Sequence, residues 1–443
     1  MRVLLIIFDG LADRPAPELD GKTPLEAART PNLDRLAAAG INGLMHPKSP
    51  GYPLGSPLAL HLMFGYPEDA FPDRGPLLAS ARGLSIAPGD VVLAARFASV
   101  EEQPDGRLRL LQRFIRGREQ ECRRLAGTIA KHEIDGLTFR YVYAGNGDGN
   151  LFITDAASFQ ITDTDPLGLD LPVLRSQTRA EAFDKPTADR SADALNQYLT
   201  WAHSQLCDAT ASNDGPPINS LITKWAGPKP HYEPFAERWG MQAASLPDEE
   251  VVSGLMLELG FHLEQIEDAD PEADLRRRLT RAAELLRDGY EFVHLHSKYP
   301  DPMSHENDPL RVRDAIEALD AGMETYWQLL APDPDLITML TTDHTTPSVW
   351  AHHPRGRFSD QHSGEEVPLV VRGGNVRVDG VKDFGERAAA SGALGHLRGE
   401  DFMPVLLNAA ERANMWETRP TPARRLYRPR PDQIEPFRLG GDS

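Results

Sequence analysis

Cysteine is nearly absent: Cys122 and Cys207 are the only two in 443 residues. Two thiols make no disulfide framework, and no C-x-x-C spacing offers a thiolate metal site, so a reducing cytosol is the expected compartment. Long apolar runs are missing too. No stretch approaches the roughly 20 apolar residues that cross a bilayer. The run at 3–8 has about half the length of a signal-peptide core and ends in an acid rather than a small-residue cleavage site, so it reads as a buried strand. Positive charge is also scarce, with Lys plus Arg at 47 against 66 Asp plus Glu, a formal −19 at pH 7. That field repels nucleic-acid phosphates and anionic lipid, so neither is expected as a partner. An anionic substrate would need metal ions or local Arg and Lys to offset it. There is no internal repeat. What remains is of ordinary globular composition, 40% hydrophobic and 26% charged, and at about 100 to 200 residues per domain two or three units are expected.

The first 65 residues are clearly punctuated. Thr23-Pro24-Leu25-Glu26 is a capping box with Pro at the first helical position, and Thr30-Pro31 repeats the signal before a second helix closed by Gly40. A loop over 47–55, rich in Gly and Pro, leads to Ser56, Pro57 and the apolar run 58–64, so Ser56 is expected as a helix N-cap. From 91 to 168 the pattern becomes strand, charged helix (117–132) and strand, with the turn Asn146-Gly147-Asp148-Gly149 predicting a hairpin. The expected architecture is an α/β core, a mostly parallel sheet sandwiched by helices, formed by 1–90 and 169–418, with a small α+β domain inserted at 91–168. Core helices are expected over 191–206 and 271–287, and short strands covered on both faces over 292–295, 336–340 and 368–371. The Pro- and Arg-rich segment 419–443 reads as a loosely packed extension.

Open α/β sheets bind ligands beyond the C-terminal ends of their strands. Asp9 ends the first predicted strand, Asp301 and His305 form D-x-x-x-H after the strand at 292–295, and Asp343-His344 follows the strand at 336–340. His362-Ser363-Gly364 precedes the next strand, and Ser56 opens a helix. Three Asp, three His and a hydroxyl form a donor set suited to Mn²⁺, Zn²⁺ or Mg²⁺. Thr341, Thr342, Thr345 and Thr346 flank Asp343-His344 and are candidates to line a phosphate site. Each residue also has a plainer reading: a strand-end Asp as a turn residue, Ser56 as a cap. His294 and His296 at the end of a buried strand are expected as satisfied core histidines, with orientation of a ligand as the other reading. His352-His353 is expected in a solvated loop.

The joint pattern resembles the archaeal-type, cofactor-independent phosphoglycerate mutases of the alkaline phosphatase superfamily. The match runs through DGLADRPAPELDGKTPLEAARTPNLDRLA at 9–37, Gly55-Ser56, Phe64-Gly65-Tyr66 and Arg74-Gly75-Pro76. It continues through Ile161-Thr162-Asp163-Thr164-Asp165-Pro166, Pro300-Asp301 with His305, Thr342-Asp343-His344-Thr345-Thr346-Pro347 and His362-Ser363-Gly364. The resemblance implies one metal on Asp9, Ser56, Asp343 and His344 and a second on Asp301, His305 and His362. It also implies a phosphoserine on Ser56 and exchange of 3-phosphoglycerate with 2-phosphoglycerate. Elementary chemistry agrees, since two divalent ions about 4 Å apart hold the attacking and leaving oxygens of an in-line transfer. A coordinated hydroxyl is also the stronger nucleophile at neutral pH.

The chain departs from that pattern around the substrate. The nucleophile is followed by Pro57 instead of Asp, the expected Lys-Gly is Ser253-Gly254, and the Arg of a Thr-Arg-x-Ala-Gly segment is Lys224. Where relatives have a strand with His and Arg, this chain has Tyr143-Ala144-Gly145-Asn146. Arg74, Arg140, Lys224 and Lys298 are left as candidate substrate-binding cations. Each lost charge-assisted bond is typically worth about 1.5 to 3 kcal/mol, which keeps open a phosphomonoester or phosphonate hydrolase. A catalytically silent metal- or metabolite-binding relative is a third reading.

Overall fold

Residues 3–8 are apolar without interruption, the pattern of a strand covered on both faces, and in a computed structural model Arg2–Phe8 is such a strand, buried throughout after Arg2. The structure describes residues 1–210, 215–267, 269–350 and 362–439. They divide into two compact units, one of 1–68, 232–350 and 362–439, the other of 69–210 and 215–231.

In the first unit an eight-stranded sheet runs in the order 262–263, 243–246, 292–297, 2–8, 336–341, 367–372, 41–46 and 395–398. All neighbours are parallel except Val367–Arg372, which is antiparallel to both of its own. The expected mostly parallel core is therefore present. Helix Pro271–Arg287 has the predicted bounds, opened by the Asp270 carboxylate accepting from the Ala273 N–H at 3.1 Å. It buries Leu275, Leu279, Ala282, Ala283 and Leu286 at helical spacing in the main core. Parallel strands 2–8, 292–297 and 336–341 end together, which sets Asp9, Lys298 and Thr342 along one edge.

The second unit is an antiparallel sheet in the order 108–112, 91–102, 148–154, 137–145 and 131–134, with Ser220–Pro228 also paired to Val91–Glu102. The predicted hairpin is present: Asn146 and Gly147 both have positive φ, at 52° and 81°, as a two-residue turn of this hand requires. This unit is wider than the expected 91–168 at both ends. The helix expected in the core over 191–206 is Lys185–Ala209 and belongs here, with Tyr198 stacked on Phe139 of the sheet at 4.7 Å. Residues 91–168 alone would leave that apolar face in water.

The tail after Thr418 is docked at one point. Tyr427 is buried, donates to the Glu237 carbonyl at 3.1 Å, and packs against Gly240 so closely that a Cβ there would meet its ring at 2.4 Å. The loosely packed reading therefore does not hold for 425–428, where Arg425 also pairs with Glu233 at 2.5 Å.

Candidate functional site

All seven expected ligand residues lie in the first unit and converge on one locality. Asp9 continues the strand Arg2–Phe8, and its carbonyl accepts from the Asp301 N–H at 3.1 Å. Asp301 opens the short helix Asp301–His305, so its carboxylate and the His305 ring share a face four residues apart, with Nε2 at 3.2 Å from Oδ2. Asp343 and His344 follow the strand Leu336–Thr341 and are almost wholly buried.

Ser56 is the first residue of helix Ser56–Met63, and Gly55 is the N-cap. The expectation of Ser56 as a cap fails by one position. The shift matters chemically, because the hydroxyl is not spent on the helix terminus. It lies 3.3 Å from Asp9 Oδ1 and 3.1 Å from His344 Nε2.

The proton positions on two imidazoles follow from their far nitrogens. Thr346 donates its hydroxyl proton to Asp301 Oδ1 at 2.8 Å, so its oxygen accepts the Nδ1–H of His344 at 3.0 Å. His344 Nε2 thus faces the carboxylates, 3.1 Å from Asp9 Oδ1 and 3.4 Å from Asp343 Oδ2. His362 donates Nδ1–H to the Leu54 carbonyl at 2.5 Å, which leaves its Nε2 facing Asp301 Oδ1 at 3.7 Å. The His344 and His362 rings stack at 3.6 Å.

Two groups have ligand atoms close enough to share an ion: Asp301, His344 and His362, and Asp9, His296 and Asp343. The sequence-based partition had put His344 with Asp9 and Asp343, and had paired Asp301 and His362 with His305. Here His344 borders both groups, and His305 stands beside Asp301. His296 is the residue that sequence reading missed. Its neighbour His294 is the expected core histidine, hydrogen-bonded to Ser245 at 2.9 Å. His296 is fully buried with neither ring nitrogen hydrogen-bonded among the described residues, and its Nε2 is 3.6 Å from Asp9 Oδ2. Its signal was register: it pairs with Ile7 at the ligand end of the sheet, whereas His294 pairs with Leu5 deeper in.

The electrostatics call for a cation. Burial, then the nearby Asp343 and Asp301 carboxylates, hold the Asp9 carboxyl well above its ordinary range. Burial pushes His296 down to about 4 and, with His344 beside it, His362 down to about 3, so both rings are neutral donors. Asp343 Oδ2 is buried with no hydrogen-bond partner among the described residues. Bare imidazole nitrogens, an orphaned carboxylate oxygen and crowded acids fit divalent metal ions. The threonines support this arrangement instead of lining a phosphate site. Thr342 takes the Leu11 N–H and donates to Asp343, while Thr341 and Thr345 donate to the Pro368 and Glu365 carbonyls.

A model of the metalloenzyme superfamily matches residues 1–409. The 2,3-bisphosphoglycerate-independent phosphoglycerate mutase 2 of Methanocaldococcus jannaschii is 34% identical over 98% of this chain and 99% of its own. The chain belongs to the metalloenzyme superfamily, among the archaeal-type cofactor-independent phosphoglycerate mutases. The corresponding mutase of Pyrococcus horikoshii is 32% identical over 93% of this chain and 97% of its own. Two solved structures share the fold. A Pyrococcus horikoshii protein superposes with a TM-score of 0.74 at 29% identity, covering 94% of this chain and 99% of its own. The cofactor-independent phosphoglycerate mutase of Thermoplasma acidophilum gives 0.61 at 28%, covering 92% and 99%. Membership in a metal-dependent family agrees with the fit of the two side-chain groups to divalent ions. Among the described residues no helix is long and apolar enough to cross a membrane.

The four candidate substrate cations are placed differently. Lys298 is in the first unit, its ammonium 3.9 Å from Asp248, which also pairs with buried Arg278 at 2.8 Å. In the second unit Arg74 and Lys224 each lie over the Trp225 ring, at 4.9 and 3.9 Å from its centroid. Arg140 is exposed and stacks on Phe152 at 4.0 Å, three strands away from Lys224 across the sheet, so the structure does not bring it into that group. His352 and His353 lie outside the described residues.

Proposed function

We propose that the protein interconverts 3-phosphoglycerate and 2-phosphoglycerate by phosphoryl transfer through a phosphoserine on Ser56. One observation carries this reading: the Ser56 hydroxyl, at the first turn of a helix, lies within 3.3 Å of Asp9 Oδ1 and 3.1 Å of His344 Nε2. The names of the relatives supply the substrate. Asp9, Ser56, Asp343 and His344 are proposed for one divalent ion (Mn²⁺, Zn²⁺ or Mg²⁺), with His296 beside them, and Asp301, His305 and His362 for a second. Such ions neutralise phosphoryl charge and lower the pKa of a bound hydroxyl.

The chain's own part is positioning and proton control. The Ser56 hydroxyl donates to Asp9 Oδ1, with His344 Nε2 beside the same oxygen, so a lone pair is freed for phosphorus as Asp9 draws the proton away. The Ser56 oxygen forms the new bond to phosphorus while the ester bond to the glycerate oxygen breaks, and that oxygen takes up the proton drawn from Ser56. Return of the phosphoryl group to the other hydroxyl of the glycerate completes the isomerisation. The free N–H groups of the first helical turn favour the transferred anion. Arg74, Lys224 and Lys298 are proposed to bind anionic groups of the substrate, Lys224 as a point charge instead of a fork.

Ser56→Ala is expected to abolish turnover in an enolase-coupled assay of the Mn²⁺-loaded protein. Rapid quench of the wild type with 3-phosphoglycerate should yield a peptide phosphorylated at Ser56. Turnover by Ser56→Ala would refute the nucleophile. Fast release of free phosphate without 2-phosphoglycerate would make the protein a hydrolase.

A further inference from the structure

Trp225 has φ 60°, the left-handed conformation that a bulky side chain rarely adopts. The cause is a bulge. Strand Ser220–Pro228 pairs Gly227 with Val92 and Lys224 with Ala94, so Trp225 and Ala226 together oppose Leu93. A bulge whose first residue is left-handed ordinarily takes glycine there. Here the position carries the largest side chain of all, and the Trp225 N–H is fixed by Asp163 Oδ1 at 2.8 Å. Strain of this kind persists where the surroundings use it.

The surroundings are cationic. The indole, half-buried, has Lys224 Nζ 3.9 Å from its ring centroid and Arg74 Cζ at 4.9 Å. Lys224 lies 3.8 Å from Asp165 Oδ2, but Arg113 already holds that oxygen at 2.9 Å. Arg179 is 3.7 Å from Asp73. Asp163, which takes the Trp225 N–H, adds a further negative charge nearby. Lys224 thus shares its carboxylate with Arg113, and Arg74 makes no ion pair within 4 Å among the described residues, so both cations over the ring keep capacity for an anion. A cation on an aromatic face keeps its outward side for an anion.

We propose that Trp225 is the positioning residue of an oxyanion site in the second unit, where the indole holds Arg74 and Lys224 to receive a carboxylate or phosphate group. That the ligand is a small phosphorylated acid rests on the function proposed above. The ring takes the place of a fork at this point in the chain, fixing a lysine whose ammonium has no planar geometry of its own.

The test uses the full-length, Mn²⁺-loaded protein with 3-phosphoglycerate, D-glycerate and inorganic phosphate as calorimetric ligands. Trp225→Gly should weaken binding of at least one of them about tenfold or more, while its thermal midpoint stays at or above that of the wild type, because glycine accepts this φ without strain. Trp225→Phe, which keeps an aromatic face, should recover most of the affinity. In steady state the loss should appear in KM with kcat nearly unchanged. D-glycerate against phosphate tells which oxyanion is held. Wild-type affinity in Trp225→Gly, or no binding of any of the three ligands by the wild type, would overturn the site. Absence of turnover with Trp225-dependent binding intact would overturn the proposed reaction and leave the site standing.

Discussion

At the scale of the residue, this centre is organised by hydrogen bonds made on the far side of each ligand. The Thr346 oxygen and the Leu54 carbonyl fix the protons of His344 and His362 and turn their other nitrogens inward. His296 has no such partner among the described residues, and its burial without a hydrogen bond is costly unless something binds it. His296→Ala is therefore expected to reduce bound metal, with affinity falling about 10- to 100-fold, measured by elemental analysis after dialysis. His294→Ala should leave metal content intact and cost about 1 to 3 kcal/mol of stability through its orphaned Ser245 partner. Equal metal content in both variants would assign His296 to the core. None of this was legible in the sequence, where two histidines one residue apart in an apolar run look equivalent; only the depth along the strand separates them.

At the scale of the element, the punctuation of the sequence did most of its work locally. The capping box at Thr23 and Glu26 forms as read, the Asn146-Gly147 turn closes its hairpin, and Pro271–Arg287 has the predicted ends. The errors came where an element's role depends on a distant partner. Ser56 yields the cap to Gly55, because the chain enters this helix one residue earlier than the serine signal implies. The segment after Thr418 has little periodicity, so nothing local announced that Tyr427 would close over Gly240. Tyr427→Ala should lower unfolding free energy by about 3 kcal/mol, read from the midpoint of a urea transition. An unchanged midpoint would restore the loosely packed reading of the tail.

At the scale of the whole molecule, the deficit of cations and the crowding of Asp9, Asp301 and Asp343 have one consequence. Folding buries Asp9 beside Asp343 and Asp301, which disfavours its charged form. A bound divalent ion reverses the sign of that term. Chelation should accordingly lower the thermal midpoint, and saturating Mn²⁺ at about 100 times its Kd should return about 2.7 kcal/mol per site. A midpoint indifferent to both chelator and metal would argue against a metal centre. The sequence by itself determined the mostly parallel core, the hairpin and which acids and imidazoles to look for together, because apolar period, turn chemistry and ligand type are written in neighbouring residues. Tertiary structure alone decided how those side chains are grouped, that His296 lies among them, and that Trp225 sits strained with two cations over its ring. It also decided where the second unit begins and ends. Those facts depend on strand register and on which faces are covered, and register is set by contacts between residues far apart in the chain.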